Sequence, residues 1–328
     1  MSRINVYYNA SFASAVPVTD FISTWDTTQA GSASDTIVLP MTAGVATVDW
    51  GDGTINTSNT HTYITGGIYT LIISGTIEGF RFAGGGDRRK IIDISNWGTF
   101  TVTTNKAFRE CSNLDISATD APTLASTNAL FEMFWGCTSL TTVDFTAWDI
   151  TPVTDASGCF RGCVNMNANV STWDISNLQY IGINQNFRGM FEDCSIHEGD
   201  VSNWNPASVL RADKFAFNAF LWNPDVTNWV IPPTWFSVNK MFQNSSMDRD
   251  LSGWNISSFT IMNNFLNGGE MSTANYDATL ISWAAQSPST ANSPHFGTSK
   301  YTLGGAAEAA RTSLISTYGW TISDGGGV

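Results

Sequence analysis

Two aromatic residues recur along this chain at the same interval of about 25 residues, and this repetition constrains the fold more than any other feature. Both series lengthen once to 31 residues, in the same unit, so one insertion lies between Trp173 and Phe191. Units this short cannot bury their own apolar faces and must stack into a shared core. The predicted core markers are Trp97, Trp148, Trp173, Trp204, Trp229 and Trp254, and Phe108, Phe134, Phe160, Phe191, Phe217, Phe242 and Phe265.

Each unit carries two short motifs. The first reads V/L-S-x-W-D/N-I-S/T, as in 170–176 and 251–257, and the second reads M/A-F-x-x-C, as in 133–137 and 190–194. The first predicts a short strand of a parallel sheet, and the second predicts a helical turn packed opposite. This pattern resembles the BspA-like leucine-rich repeat of bacterial surface proteins. The resemblance implies a right-handed solenoid of about seven units over 77–270.

The region before the repeats reads as all-β. Runs at 35–40, 45–50 and 67–75 predict strands, because they are apolar or alternate with period two and end in turn residues. The motifs Trp50-Gly51-Asp52-Gly53-Thr54, His61-Thr62-Tyr63 and Gly67-Ile68-Tyr69-Thr70 follow in that order. Together they resemble a PKD-type domain, an immunoglobulin-like β-sandwich, over 31–76. Family members serve as spacers and adhesion modules on extracellular proteins.

The two ends complete the predicted organisation. Residues 1–30 are expected to dock onto a neighbouring protein. Residues 271–328 are expected to cap the stack with helices at 276–286 and 305–318 and a strand at 320–322. The predicted fold class is therefore mainly β with short helices, comprising an Ig-like sandwich, a leucine-rich-repeat-like solenoid and a helical cap.

Charge and hydropathy exclude two kinds of partner. The formal net charge of −13 repels phosphate backbones, so we expect no nucleic-acid binding. No apolar run reaches 18 residues, so we expect no membrane insertion. The glycines at 84–86 lack the spacing of a phosphate loop and predict a tight turn between sandwich and solenoid. The basic run 88–90 is expected to be a solvated turn.

The cysteines predict a structural role. Cys111, Cys137, Cys163 and Cys194 each stand three residues after a marker phenylalanine. We expect one small buried thiol per unit, since free cysteine packs like a small apolar residue. Disulfides between coils and a metal site are the alternatives, and Cys159 adds no zinc pattern. Thiols in such positions predict folding in a reducing compartment.

Of the tryptophans outside the repeat register, Trp25, Trp135, Trp222 and Trp235 stand out, and the last three cluster near the M-F half of their units. Packing is one interpretation. The other is a contact surface for a host surface glycan or protein, because tryptophan stacks on sugar rings and anchors protein partners. We expect this candidate surface near the M-F half of the units.

No pattern in the sequence predicts a catalytic group, a cofactor or a metal site. A regular solenoid face favours non-enzymatic adhesion, receptor binding or a structural role. The N-terminus does not read as a signal peptide. A phage tail or capsid-decoration protein, folded in the host cytosol and exposed on the virion, is the first expectation. It would bind other virion proteins through its N-terminal segment. A bacterial cell-surface adhesin of the BspA-like type is the alternative.

Overall fold

The computed structural model describes residues 19–41, 46–77, 79–178 and 187–328. Over these residues the chain is mainly β with short helices, as predicted. Its elements are β1 Phe21–Asp26, β2 Thr36–Val38, β3 Ala46–Asp49, β4 Ile55–Asn56, β5 Thr60–Thr62, β6 Ile68–Gly75, β7 Ile91–Asn96, β8 Thr101–Val102, β9 Asp115–Ile116, β10 Thr123–Leu124, α1 Thr273–Ala285 and α2 Ala306–Ser316.

One sheet joins the N-terminal region to the first repeats. Its strand order is β4-β3-β6-β1-β7-β9, and β1 pairs antiparallel with both β6 and β7. The side chain of Trp25, at the middle of this sheet, is fully buried. Residues 21–26 of the predicted docking segment 1–30 form an interior strand between β6 and β7. Residues 1–18 of that segment lie outside the described residues.

The loop before β7 fastens the N-terminal region in place. The Asp87 carboxylate accepts hydrogen bonds from the Ser32 and Val38 amides at 2.6 and 2.7 Å. The Lys90 ammonium donates to the carbonyls of Ser32 and Thr36 at 3.1 and 2.7 Å. Asp87 and Lys90 are both buried. The expectation of a solvated turn at 88–90 is thus wrong for Lys90, because the loop 32–38 surrounds its ammonium group with acceptors.

Successive repeats are joined by backbone hydrogen bonds between their M-F segments. In each unit the amide at the marker position donates to a carbonyl of the next unit, at 2.8 to 3.0 Å. The pairs are Phe108 to Met133, Phe134 to Cys159, Phe160 to Met190, Phe191 to Phe215, Ala216 to Met241, Phe242 to Phe265, and Leu266 to His295. The segments that carry these bonds, here called the ladder segments, are 106–111, 132–137, 158–163, 189–194, 214–219, 240–245, 264–269 and 294–299.

Left-handed residues shape the ladder segments. Positive φ recurs two residues before and two residues after the marker position, for example at Lys106 and Glu110, Gly158 and Gly162, and Lys214. Glycine adopts this conformation without a steric penalty, whereas other residues need compensation. Here each ladder segment gains its bonds to the next unit. The M-F segment is therefore not the predicted helical turn. It is a turn in which left-handed and other backbone conformations alternate.

The V-S-x-W motif forms a turn and not the predicted strand. The amide of Trp173 donates to the carbonyl of Val170 at 3.1 Å, and Trp204 and Trp229 repeat this bond with Val201 and Val226. The Asp or Asn side chains that precede the valine and follow the tryptophan accept hydrogen bonds from backbone amides two residues further along the chain. Asp174, for example, accepts the Ser176 amide at 2.9 Å. These side-chain acceptors offer the backbone an alternative to strand pairing.

The stacking continues past residue 271, where the sequence predicts a separate cap. Phe296 takes the marker position of a further unit, because its amide donates to Ser323 at 2.8 Å and the Leu266 amide donates to His295. Helix α1 replaces the V-S-x-W turn and supplies Trp283 in its place. Both predicted helices are present within a few residues, whereas 320–322 form no strand.

Candidate binding face

The marker residues line the interior, with one exception. The phenylalanines at 108, 134, 160, 191, 242 and 265, all predicted tryptophans and the four ladder cysteines are buried. Rings of Phe108, Phe134, Phe160 and Phe191 stack in a single file, with centroids 5.8, 5.8 and 5.5 Å apart. Phe217 is the exception: Phe215 takes the interior place, and Phe217 lies half-buried on the outer face.

Interior tryptophans bond each unit to the one before it. The indole N–H of Trp204 donates to the carbonyl of Val170 at 3.1 Å, and that of Trp229 donates to Val201 at 2.9 Å. Trp254 and Trp283 continue the series. The buried N–H of Trp97 has no partner in the described structure, whereas a buried indole N–H usually finds an acceptor. For Trp204, Trp229, Trp254 and Trp283 the previous unit supplies the acceptor. A tryptophan at this position therefore indicates that another unit is stacked before it.

Ladder thiols are hydrogen-bond donors. The Sγ atoms of Cys137, Cys163 and Cys194 each donate to the marker carbonyl of the preceding unit at 3.0 Å. Burial raises the pKa of Cys163 to about 12, which keeps this thiol protonated and able to donate. All five cysteines are free. Among the described residues no group of three or more potential ligands could hold a metal ion.

Two of the three tryptophans predicted as a contact surface are interior residues. Trp222 is 1% exposed and donates its indole N–H to the Gly199 carbonyl at 2.9 Å. Trp235 is fully buried and donates to the Ser237 carbonyl at 3.0 Å. They do not form the exposed surface that the sequence predicts, because each replaces smaller apolar side chains within the stack.

Trp135 does lie on the outer face, but both faces of its ring are covered. The guanidinium carbon of Arg109 lies 4.0 Å from the ring centroid, and that of Arg161 lies 4.6 Å from it. These cation–π contacts hold the indole between two neighbouring units. Trp135 is therefore unsuited to stacking on a sugar, since only the ring edge is open to a partner.

The outer face of the ladder segments carries one side chain per unit directly after the marker position. We call this row the outer row. Its first members are charged or aromatic and are paired across units, as in Arg109 with Glu132 at 2.7 Å and Arg161 with Glu192 at 3.2 Å. Its last members are polar residues and a glycine, which has no side chain. Along the stack the outer row reads Arg109, Trp135, Arg161, Glu192, Phe217, Gln243, Asn267 and Gly297.

Where the outer row ends, a groove of about 540 Å³ opens across the last ladder segments. We call it the glycine groove, after Gly268, Gly269 and Gly297 in its lining. Gly297 has a φ of +62°, and a Cβ there would overlap the carbonyl oxygen of Gly269. Gly268, with a φ of +80°, leaves no room for a Cβ beside Asn244. The Gly297 position is the one that Arg109, Trp135 and Arg161 fill in earlier units, and here a side chain is excluded from it.

The polar side chains of the glycine groove have unused hydrogen-bonding capacity. His295 Nδ1 accepts the Gly297 amide at 3.0 Å, so the proton of the neutral ring lies on Nε2. Within the described structure neither this Nε2 nor the Glu270 carboxylate nor the Thr298 hydroxyl has a protein partner. The lining of one groove therefore presents both donors and acceptors to solvent.

This histidine is not arranged for nucleophilic catalysis. Its Nδ1 is already an acceptor and has no proton to share with an orienting carboxylate, which a serine–histidine–acid triad needs. The hydroxyls of Ser245 and Ser246, which also line the groove, donate to the carbonyls of Phe242 and Phe220. These hydroxyls and the His295 Nδ1 atom are therefore already engaged within the protein.

An apolar patch adjoins the groove. Val164, Ile196, Phe220 and Leu221 lie four or five residues after the marker position in three successive units and are 36, 41, 53 and 55% exposed. The Leu221 amide donates to the Ser195 carbonyl at 3.4 Å, which places Leu221 beside Ile196. The hydroxyl of Ser246, at the rim of the groove, donates to Phe220. We call these four residues the apolar patch.

The sequence carries a signal for this site only after the units are aligned on their backbone bonds. The segments Asn267-Gly268-Gly269-Glu270 and His295-Phe296-Gly297-Thr298 then fall on ladder positions, with glycine where side chains are expected. Without Phe296 as a marker, that alignment cannot be made. The groove residues and the patch are therefore absent from the sequence-based candidates.

No helix among the described residues has the length and apolar character needed to cross a membrane. No curated protein and no solved structure matches this chain. A family model described as "Mycoplasma protein of unknown function, DUF285" matches four overlapping segments, 85–182, 128–246, 181–283 and 232–299. The overlapping matches together span 85–299 of the 328 residues, which includes the further unit at Phe296. The chain therefore belongs to the DUF285 family.

Proposed function

We propose that this chain is a non-enzymatic adhesion or receptor-binding protein whose outer face contacts a cell surface. The observation that carries the proposal is the apolar patch. Its members occupy neighbouring positions in successive units and are 36 to 55% exposed. Contiguous exposed apolar side chains gain free energy when a partner covers them, and central aromatic and aliphatic anchors dominate such contacts.

The proposal includes a finer description of the architecture. Residues 46–75, with β3, the turn at Gly51 and Gly53, and β6, retain the motif order of a PKD-type, immunoglobulin-like sandwich. The ladder bonds and the file of phenylalanine rings support a solenoid of the BspA-like leucine-rich-repeat kind. Both modules serve as spacers or contact surfaces on extracellular proteins, so they favour a role outside the cell.

Two settings would expose this face. A phage tail or capsid-decoration protein folds in the host cytosol, where buried free thiols such as Cys137, Cys163 and Cys194 stay reduced. It would act on the virion and bind virion proteins through its N-terminal segment. The second setting is the surface of a bacterial cell, as an adhesin. The family description, which names Mycoplasma, favours this second candidate.

Cell binding by the purified chain tests the proposal. We expect the double variant Phe220→Ser, Leu221→Ser to bind bacterial or host cells at least about tenfold more weakly in flow cytometry, because two anchors are lost. Val230→Ser is the matched control, since Val230 is 66% exposed outside the patch. Equal loss in both variants, or no binding by the parent chain to any cell type, would contradict the proposal.

The setting is tested separately. Antibodies against the chain should label either purified virions, at a fixed number of copies per particle, or the outside of intact bacteria. The first result supports the phage protein and the second supports the adhesin. Retention of the chain inside intact cells, with no virion-associated fraction, would contradict both.

A further inference from the structure

We propose that the glycine groove binds a neutral saccharide. The inference rests on the proposed function and names the ligand class that the contact face takes. It stands on the shape of the groove, on the unsatisfied polar groups in its lining and on the absence of cationic side chains from that lining.

The shape fits a small, polar ligand. The volume of about 540 Å³ falls within the range of ligand pockets, of order 300 to 1,000 Å³. Gly269 and Gly297 expose backbone in the lining, so a ligand can approach the main chain closely. Asn267 and Thr298 add an amide and a hydroxyl at the rim. A ring that carries several hydroxyl groups meets hydrogen-bonding partners on more than one side here.

The presence of donors and acceptors in one lining suits a ligand that carries several hydroxyl groups. Each sugar hydroxyl donates one hydrogen bond and accepts others, so it can bind both an acceptor and a donor. The Glu270 carboxylate supplies the acceptor, and His295 Nε2–H supplies the donor because its Nδ1 accepts the Gly297 amide. These groups have no protein partner in the described structure, so a ligand does not have to displace one.

Charge selects a neutral ligand. Among the described residues, those that line the groove include Glu270 but no lysine or arginine. A sialic acid, a sulfated sugar or a phosphate would place an anion beside this carboxylate without a compensating cation. Arg109 and Arg161, which lie earlier along the outer face, are engaged with Trp135 and with carboxylates.

The test uses the full chain and simple probes. Saturation-transfer NMR and titration calorimetry would measure binding of the methyl glycosides of glucose, galactose, mannose, N-acetylglucosamine and N-acetylgalactosamine. Sialic acid and galactose 6-sulfate serve as acidic probes. We expect at least one neutral glycoside to bind and both acidic probes to bind at least about tenfold more weakly, since no partner offsets their charge.

Variants locate the binding. Glu270→Gln should weaken the neutral glycoside about tenfold, because it replaces a charge-assisted hydrogen bond by a neutral one. Thr298→Val should weaken it less. Glu198→Gln, which changes an exposed carboxylate outside the groove, should leave affinity unchanged. Circular dichroism would check that each variant is folded.

Each outcome has a defined meaning. No binding of any neutral glycoside, preferential binding of the acidic probes, or equal affinity of Glu270→Gln and the parent would overturn the inference. If cells are still bound and that binding is lost in Leu221→Ser, the proposed function stands without it. If neither glycosides nor cells are bound, both fail.

Discussion

The first and last parts of the repeat stack share a backbone plan but present opposite surfaces. In both, marker amides donate to the next unit at 2.8 to 3.0 Å. Early in the stack the outer row holds Arg109, Trp135 and Arg161, whose charges and ring faces are engaged with neighbouring units. Late in the stack the same row shrinks to Asn267 and Gly297, and a groove with unengaged polar groups opens.

This difference shows how one architecture separates stability from recognition. The interior aromatics and the ladder bonds hold successive units together, so the outer row is free to vary. Where its side chains bond to one another, the surface has little left to offer a partner. Where glycine replaces them, backbone and rim groups become available. Recognition is therefore expected at the end of the stack where cross-unit pairing stops.

The largest expected effect is the difference in stability loss between a variant of the interior phenylalanine file and a variant of the outer row. Phe134→Ala should lower the free energy of unfolding by about 3 to 5 kcal/mol, because it leaves a cavity between two stacked rings. Phe217→Ala, a half-buried aromatic on the outer row, should cost about 1 kcal/mol or less. Urea unfolding followed by tryptophan fluorescence measures both. Equal losses would mean that Phe217 belongs to the interior.

The pH dependence of the free energy of unfolding tests the position of His197, where successive units carry different residue types. His197 is fully buried, stacks on Phe191 with centroids 4.4 Å apart, and neither ring nitrogen has a partner. Burial lowers its pKa to about 3, below the unfolded value near 6.5. The unfolded chain therefore binds this proton first as pH falls, and native stability is lost from about pH 6.5 downward at about 1.4 kcal/mol per pH unit.

His197→Met should remove this loss of stability at low pH. Methionine is chosen because Met166 stands at the equivalent position of the preceding unit, three residues after the ladder cysteine. Urea unfolding of parent and variant between pH 7 and 4 gives the comparison, since all other titrating groups are common to both. Stability curves that stay parallel over this range would show that His197 is not buried in its neutral form.

The thiol ladder gives a smaller effect. Cys163→Ala should lower the free energy of unfolding by about 1 to 2 kcal/mol, because it removes the bond to Phe134 and leaves a small void. Ala219, which occupies the same position in a later unit, shows that the backbone accepts alanine there. Ellman's reagent should label the cysteines at pH 8 only after unfolding. Rapid labelling of the native chain would contradict their burial.

The smallest effect is expected on the paired outer row. Arg161→Gln removes a guanidinium that is 36% exposed from its contacts with Glu192 and Trp135, while the buried Glu192 carboxylate keeps its ion pair with Lys214. Such surface interactions contribute about 0.5 to 1 kcal/mol and weaken as salt is added. Thermal unfolding at low and high salt measures the change. A loss of several kcal/mol would mean that the outer row, and not the interior, holds the units together.

Local patterns predicted the repeat but not its register everywhere. Phe215 and Phe217 stand two residues apart, and spacing alone selected the wrong one for the interior. Trp283 and Phe296 were missed because helix α1 replaces the first motif of their unit. In both cases the deciding contacts join residues about 25 to 32 positions apart, which a search for short motifs does not compare.

The candidate site was less predictable than the fold. Trp222 and Trp235 were singled out because they break the register, yet both are interior residues whose indole N–H groups bond to backbone carbonyls. Exposure depends on what the neighbouring units place over a side chain. The glycine groove needs the absence of side chains at aligned positions in several units, and a motif search detects residues that are present.

By itself, the sequence determined that units of about 25 residues stack through aromatic markers and small thiols, because each unit is too short to bury its apolar face alone. Only the tertiary structure decided which aromatic faces inward, that Lys90 is buried at the junction with the N-terminal sheet, and where the surface opens into a groove. The physical reason is that burial, hydrogen-bond satisfaction and open volume at one residue are set by residues one or two units away.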